Sequence, residues 1–350
     1  MMNKRKLIFN TLFLLIVGVI TYYYIFQGQD MAFIMEHIAN ADVRYWALAI
    51  ICIVFFVGSE AMIIFYMMHS IRQKVRLTHC LLYSFVGFFF SCITPSASGG
   101  QPAQVYFMKK DKIPIPVSSL ILMIVTITYK LVLVALGVII LIIRPTEIMG
   151  YLEPIMGVCY LGLVINIGFV GIMFLFAFHP TMAHQHLTAL IRLLGKMHLV
   201  RRVDHYLHKL DSAMKQYKDV AGYFRTNKRV IWNVLGITVI QRILLFFVTY
   251  LVYRSFGLKG TDFITITILQ GMISVAVDML PLPGGMGISE KLFLLVFVPV
   301  FGSVTLPAMI VSRGLSYYSQ LLISALFTVV AFFTIGRKKM ERGQEDDRVL

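Results

Sequence analysis

Six runs of the sequence, at about 7–26, 45–68, 117–143, 155–178, 230–253 and 306–335, are apolar over the length a helix needs to cross a bilayer, roughly 20 residues. Two further apolar stretches, 80–94 and 263–281, are shorter. They end in strings that no helix passes through, Thr94-Pro95-Ser96-Ala97-Ser98-Gly99-Gly100-Gln101-Pro102 and Leu280-Pro281-Leu282-Pro283-Gly284-Gly285-Met286-Gly287. In lipid every backbone N–H and C=O has to be satisfied inside the protein, so the long runs are helices. A break at membrane depth is tolerated only where it is buried in protein or lines a watery cavity. Composition points the same way. Hydrophobic residues make up 58% of the 350 positions and charged residues 14%, where a soluble domain carries about a quarter charged. The fold class expected is an all-α polytopic membrane protein.

A net charge of +15 raises nucleic acid as a partner, but the distribution of the charge argues against one. The cations gather at Lys4–Lys6, Arg72–Arg76, Lys109–Lys112, Arg192–Arg229 and Arg337–Arg348, all outside the apolar runs. Cationic loops collect on the cytoplasmic side of membranes, where anionic lipid attracts them. Span 7–26 follows a basic end, lacks a small-residue cleavage site and runs into Tyr22-Tyr23-Tyr24, which reads as an uncleaved first span leaving the cytoplasm. Loop 27–43, with Asp30, Glu36 and Asp42 against Arg44, falls outside, and 45–68 returns. Lys109–Lys112 is then cytoplasmic only if 80–94 and the short segment Gln101–Met108 form a re-entrant hairpin. By the same reasoning 263–300 is a second hairpin, entered from the other side; the alternative is that both strings are ordinary kinks in full spans. Opposite entry is the signature of an inverted repeat.

The expected organisation is therefore about six full spans plus two re-entrant Pro/Gly-broken hairpins in one membrane domain, 1–336. Its first half is about 1–178, an amphipathic cytoplasmic connector about 179–229, and its second half about 230–336. A polar tail at 337–350 is expected to be disordered and cytoplasmic, like the N-terminus. In the connector, Leu187, Leu190, Ile191 and Leu194 share one helical face, as do Val203, Leu207, Leu210 and Met214, which predicts either helices lying at the membrane surface or a solvated helical linker.

Two breaks in corresponding positions of two halves point to a substrate site. Around them stand Pro95, Ser98, Gly99, Gly100 and Gln101, and Pro283, Gly284, Gly285 and Gly287. A helix starts after each break, near Gln101–Met108 and Ile288–Val298, and a helix N-terminus presents free N–H groups and positive dipole charge to a phosphate. The second clue is charge inside the apolar runs: Glu60, Lys130, Arg242, Asp278, Glu290, Lys291 and Arg313. Four cations against three carboxylates leave one positive charge, which a singly anionic phospholipid headgroup would neutralise. Internal pairing that glues helices together is the alternative. Lys130, Arg242 and Asp278 lie nearest the middle of their runs and are favoured as the headgroup site.

Nothing points to a metal, a cofactor or a catalytic residue. The four cysteines lie in apolar runs without CxxC spacing. His184-x-His186 and His205-x-x-His208 sit on the basic connector with no HExxH or carboxylate partner. A Walker loop, a GxSxG elbow and a dinucleotide fingerprint are missing, which disfavours an ATP-driven pump.

Gly87-Phe88-Phe89-Phe90 through Thr94-Pro95-Ser96-Ala97-Ser98-Gly99-Gly100, followed by Gln101-Pro102-Ala103-Gln104-Val105-Tyr106, resembles the first signature of the lysylphosphatidylglycerol synthase transmembrane family. Leu282-Pro283-Gly284-Gly285-Met286-Gly287 with Ser289-Glu290 resembles its second. The similarity runs from about residue 7 to 335. It implies a flippase-like domain of a bacterial cytoplasmic (inner) membrane that moves anionic or aminoacylated phospholipid between leaflets. In the full synthase a separate cytoplasmic domain transfers lysine to phosphatidylglycerol, and the expectation here is the membrane part without that domain. Where many members carry an acidic residue after the first Gly-Gly, this chain has Gln101. Membrane phospholipid is the expected partner. The rival expectations are a membrane component working with a separate lipid-modifying synthase, a polyprenyl-phosphate carrier and a scaffold for other membrane proteins.

Overall fold

The structure, a computed structural model, describes residues 30–196 and 203–336. The expected first span at 7–26 and the tail at 337–350 lie outside the described residues. Every regular element among those described is helical, and the chain is an all-α polytopic membrane protein. Its order begins α1 Met31–Ala39, α2 Val43–Ser70, α3 Leu77–Cys92, α4 Gly100–Lys110, α5 Ile115–Ile143, α6 Thr146–Leu152 and α7 Met156–Phe178. The connector forms α8 Pro180–Lys196 and α9 Val203–Thr226. Then come α10 Lys228–Ser255, α11 Phe263–Val277, α12 Ile288–Phe301, α13 Thr305–Arg313 and α14 Ser319–Gly336. Helices α13 and α14 are continuous through one π-helical stretch, Gly314–Tyr318. Helices α2, α5 and α10, the α6–α7 run and the stretch Pro283–Ile335, which holds α12, α13 and α14, are long and apolar enough to cross a membrane, whereas α3 and α11 are shorter.

Local chemistry sets several of the starts. Asp30 opens α1 by accepting from the N–H groups of Ala32 and Phe33, Asp42 opens α2 by accepting from Arg44, and Asp262 opens α11 by accepting from Ile264 and Thr265. Each satisfies N–H groups that a first helical turn leaves free. The Thr265 side chain foremost, with these backbone bonds, holds the Asp262 carboxyl below its ordinary range.

Three hydrogen bonds fix how the halves face each other. The Asp42 N–H donates to Ser255 O at 2.8 Å, Gln241 Nε2 to Phe56 O at 2.9 Å, and Asn233 Nδ2 to the Tyr66 hydroxyl at 2.8 Å. Rising numbers on α2 thus meet falling numbers on α10, so the two long helices are antiparallel. Helix α3 starts where α2 ends, and α4 comes back to the same level. There Asp111, just past α4, accepts from His79 Nδ1 at 2.6 Å and from the Tyr83 hydroxyl near the start of α3. Helix α11 starts where α10 ends, and α12 likewise returns, with the Phe301 ring 5.4 Å from that of Tyr253. Each broken pair is therefore re-entrant. Because α2 and α10 are antiparallel, the two hairpins enter from opposite faces. The inverted repeat read from the loop charges is the one the helices form.

One face carries Arg72, Lys74, Arg76, Lys109, Lys110, Lys112 and the connector. The other mixes Asp30, Glu36, Asp42, Glu147, Glu153 and Asp262 with Arg44, Arg144, Arg254 and Lys259. One expectation about the connector needs correction. The face of α9 that continues Leu207, Leu210 and Met214 packs on protein, with Met214, Tyr217, Ala221 and Phe224 buried against the first-half helices. The Tyr217 hydroxyl donates to Phe176 O at 2.8 Å. An amphipathic face has the same period whether it meets lipid or a neighbouring helix.

Single cysteines test the hairpin directions. Lys110→Cys and Lys74→Cys should react with a membrane-impermeant maleimide from the same side, and Lys259→Cys from the opposite side. Labelling of positions 110 and 259 from one side would overturn this arrangement.

Candidate functional site

The two breaks are built alike. After α3 the chain makes a short turn at Pro95–Ala97, and after α11 a short turn at Pro283–Gly285. Both place two successive residues in the left-handed region, Ser96 and Ala97 at φ 49° and 53°, Gly284 and Gly285 at φ 57° and 68°. Left-handed backbone costs a residue with a side chain about 1–2 kcal/mol, so the first turn is strained where the second is not.

Each break satisfies its own backbone first. Thr94 Oγ1 donates to Phe90 O at 2.6 Å and accepts from the Gly99 N–H at 2.8 Å. At the second break Glu290 Oε2 accepts from the Gly287 N–H at 2.7 Å, while Oε1 accepts from Arg313 Nε at 2.7 Å. Arg313 also donates to Gly284 O at 2.9 Å. The tips then bond to each other's surroundings. Ser96 Oγ donates to Leu280 O at 3.2 Å, and the Tyr317 hydroxyl to Cys92 O at 2.9 Å. A side chain at Gly284 would run into the Tyr317 ring, with the ring carbon that bears the hydroxyl 2.6 Å from its first atom. Glycine is needed there for space as well as for its φ.

A cavity of about 250 Å³ opens beside the joined tips. Phe56, Phe88, Leu133, Leu245 and Phe246 supply apolar wall. Ser91, Thr249, Gln270, Ser274, Ser289, Ser316 and Gln320 supply neutral polar wall, and Arg242, Asp278 and Arg313 reach it with charge. Phe56 and Arg242 come from the middles of α2 and α10, so the cavity lies near mid-depth. Of the residues singled out in the sequence, Arg242, Asp278, Gly284, Gly285 and Arg313 line it, and Ser96 and Ala97 join them.

The others lie elsewhere. Lys130 pairs with Asp278 and also donates to Asn166 Oδ1 at 3.2 Å, on α7. Glu60 accepts from Gln104 Nε2 at 2.7 Å. Gln101 is tied to Thr126 Oγ1 and to Leu122 O on α5. Gly99 and Gly100 serve the hairpin itself, since a Cβ on Gly100 would come within 2.7 Å of Gly87 O on α3. Pro95, Ser98, Pro283, Gly287 and Glu290 shape the turns without lining the cavity. Lys291 is exposed. Its removal from the interior leaves Lys130, Arg242 and Arg313 against Glu60, Asp278 and Glu290, so the expected surplus of one positive charge is absent.

Arg242 stands apart from these pairs. Among the described residues no carboxylate comes within 4.0 Å of it, and its Nε is buried with no hydrogen-bond partner. Its guanidinium lies 3.8 Å from the centre of the Tyr129 ring and 5.0 Å from that of Phe56. Glu60 attracts it from beyond ion-pair distance. Sequence reasoning missed Tyr129, Tyr317, Asn166 and Gln104, because a search for interior charge passes over neutral partners. The described residues contain no cluster of three His, Cys, Asp or Glu side chains placed to hold a metal.

Two antiparallel halves, each contributing a re-entrant hairpin to a shared polar cavity, define an inverted-repeat polytopic membrane protein. The chain belongs to the lysylphosphatidylglycerol synthase transmembrane family, whose model, described as the lysylphosphatidylglycerol synthase TM region, matches residues 10–324. That makes it a membrane protein of lipid metabolism. A comparison with curated proteins gave no match.

Breaking one member of a buried ion pair strands the other charge and costs about 3–5 kcal/mol. Lys130→Met should therefore lower the thermal unfolding temperature of the detergent-solubilised protein markedly, and Lys130→Met with Asp278→Asn should recover most of the loss. Equal damage in the single and double variants would show that the pair is not coupled.

Proposed function

We propose that this chain translocates phospholipid between membrane leaflets, with Arg242 as the anchor for the lipid phosphate. The observation that carries the reading is the unpaired guanidinium at the wall of a mid-depth cavity. A charge inside a membrane span costs about 2.5–3.5 kcal/mol even on the lenient insertion scale. The other interior cations are matched, Lys130 by Asp278 and Arg313 by Glu290. A phosphate oxygen at the cavity wall would give the Arg242 guanidinium an acceptor, which it lacks among the described residues. The headgroup would sit between the hairpin tips while the acyl chains stayed in lipid. Hairpins from opposite faces support alternating access about such a site.

In this reading the basic face is cytoplasmic, in a bacterial inner membrane, and both termini are on that side. Anionic and aminoacylated phospholipids, lysylphosphatidylglycerol among them, share the phosphate that Arg242 would hold. A role as the membrane component of a phosphatidylglycerol lysyltransferase system, with a separate synthase supplying the chemistry, is favoured by the family description.

The test is Arg242→Gln in proteoliposomes carrying a labelled phospholipid. A hydrogen bond to a charged group contributes about 1.5–3 kcal/mol, so transport per folded molecule should fall about 10- to 100-fold. Expression should hold, because the neutral side chain is cheaper in the membrane. Wild-type transport by Arg242→Gln at normal yield would remove Arg242 from the site.

A further inference from the structure

Resting on the translocator reading, we infer that the cavity selects a singly anionic phosphodiester lipid with an uncharged, hydroxyl-bearing headgroup, and rejects aminoacylated, cationic headgroups. Three features of the wall support this. First, its carboxylates are already committed. Asp278 is paired with Lys130, both largely buried, with side chains 15% and 6% exposed. Glu290 holds Arg313 and the Gly287 N–H, and Glu60 is bonded to Gln104 away from the lining. An ammonium could reach Asp278 only by displacing Lys130, which would put three cations and the ammonium in one low-dielectric space.

Second, the two tyrosine faces of the wall are covered by cations of the protein. The Arg242 guanidinium lies over Tyr129, and that of Arg313 lies 4.7 Å from the centre of the Tyr317 ring. Third, the wall offers neutral donors and acceptors instead. Ser91, Ser289 and Gln320 line the cavity, and their side chains make no hydrogen bond to other described residues. Ser289 and Gln320 are 7% and 8% exposed. Their polar atoms are open to the cavity, where the hydroxyls of a glycerol or sugar headgroup would pair with them in place of water. The phosphate meets Arg242, and the hydroxyls meet the serines and the glutamine. Gln101 is tied to α5 and supplies no carboxylate.

The experiment separates selectivity from transport by reading both. The detergent-solubilised full chain is titrated with phosphatidylglycerol, with a glycosyl phosphodiester lipid, with lysylphosphatidylglycerol and with phosphatidylcholine, and the shift in unfolding temperature is recorded. Phosphatidylglycerol and the glycosyl lipid are the two sources of the proposed chemistry, and stabilisation by either, at concentrations at least tenfold below those needed for lysylphosphatidylglycerol, supports it. Equal or stronger stabilisation by lysylphosphatidylglycerol, or equal stabilisation by all four lipids, overturns it. Gln320→Leu keeps every charge and should shrink the shift from the hydroxylated lipids to that given by phosphatidylcholine. An unchanged shift counts against the proposal. Lys130→Gln frees Asp278 and should create stabilisation by lysylphosphatidylglycerol. Transbilayer movement of the same lipids in proteoliposomes then tests the translocator reading. Selective binding without movement refutes that reading and leaves the selectivity standing, and movement without selectivity does the reverse.

Discussion

The structure depends on one constraint, that backbone broken at membrane depth has to find hydrogen-bond partners without water. Each break leaves several N–H and C=O groups that no helix can use. Neither tip resolves this alone. Thr94 closes part of the first and Glu290 part of the second, but Cys92 O and Gly284 O accept from Tyr317 and Arg313, and Leu280 O, which accepts from the Leu282 N–H, takes a second bond from Ser96. Two of these bonds link one half of the chain to the other. The antiparallel packing of α2 and α10 makes this possible, because it brings hairpins from opposite faces to a common depth. The cavity is what remains beside the joined tips.

The same economy governs charge. Six ionisable side chains lie around the cavity and its supports, and four of them form two pairs, Lys130 with Asp278 and Glu290 with Arg313. These pairs cross between helices and so act on the fold. Arg242 and Glu60 attract each other only at longer range. Stacking on Tyr129 supplies Arg242 with a cation–π contact, about 2 kcal/mol where water is excluded. That does not fill the hydrogen-bonding capacity of a guanidinium, which has five N–H donors in a planar fork. The incomplete compensation distinguishes Arg242 from the structural charges.

Much of the architecture was legible in the sequence. The Pro/Gly strings gave the break positions, run lengths gave the spans, and Lys109–Lys112 gave the direction of the first hairpin. Those features act locally, through φ restriction, helix length and loop charge. The charge pairing was not legible, because Lys130 and Asp278 are 148 positions apart and nothing local joins them. Lys291 lies in an apolar run beside Glu290 and so reads as interior, but one residue along a helix turns a side chain by about 100°, and this one faces out. Gly99 and Gly100 stand in the sequence as substrate-site residues, yet their lack of a side chain is used for close packing of the hairpin. Composition shows that a glycine is present, not which neighbour approaches it.

The two tips have the same turn but are not interchangeable, and the difference makes the joint possible. The second tip uses glycine at both left-handed positions, so it carries no side chain there and can accept the Tyr317 ring against its backbone. The first tip puts Ser96 and Ala97 in that conformation, at a cost of about 1–2 kcal/mol for each. In return Ser96 brings a hydroxyl donor to Leu280 O, which a glycine could not supply. Two glycine tips would lose that bond between the halves, and two side-chain tips would exclude Tyr317. A strained tip meeting a bare one is therefore the arrangement that satisfies both breaks, and the strain in the first is held by bonds made to the second. Because the two breaks depend on each other in this way, a ligand that enters between them has to replace the hydrogen bonds it displaces, which makes the polar chemistry of a headgroup decisive for occupancy.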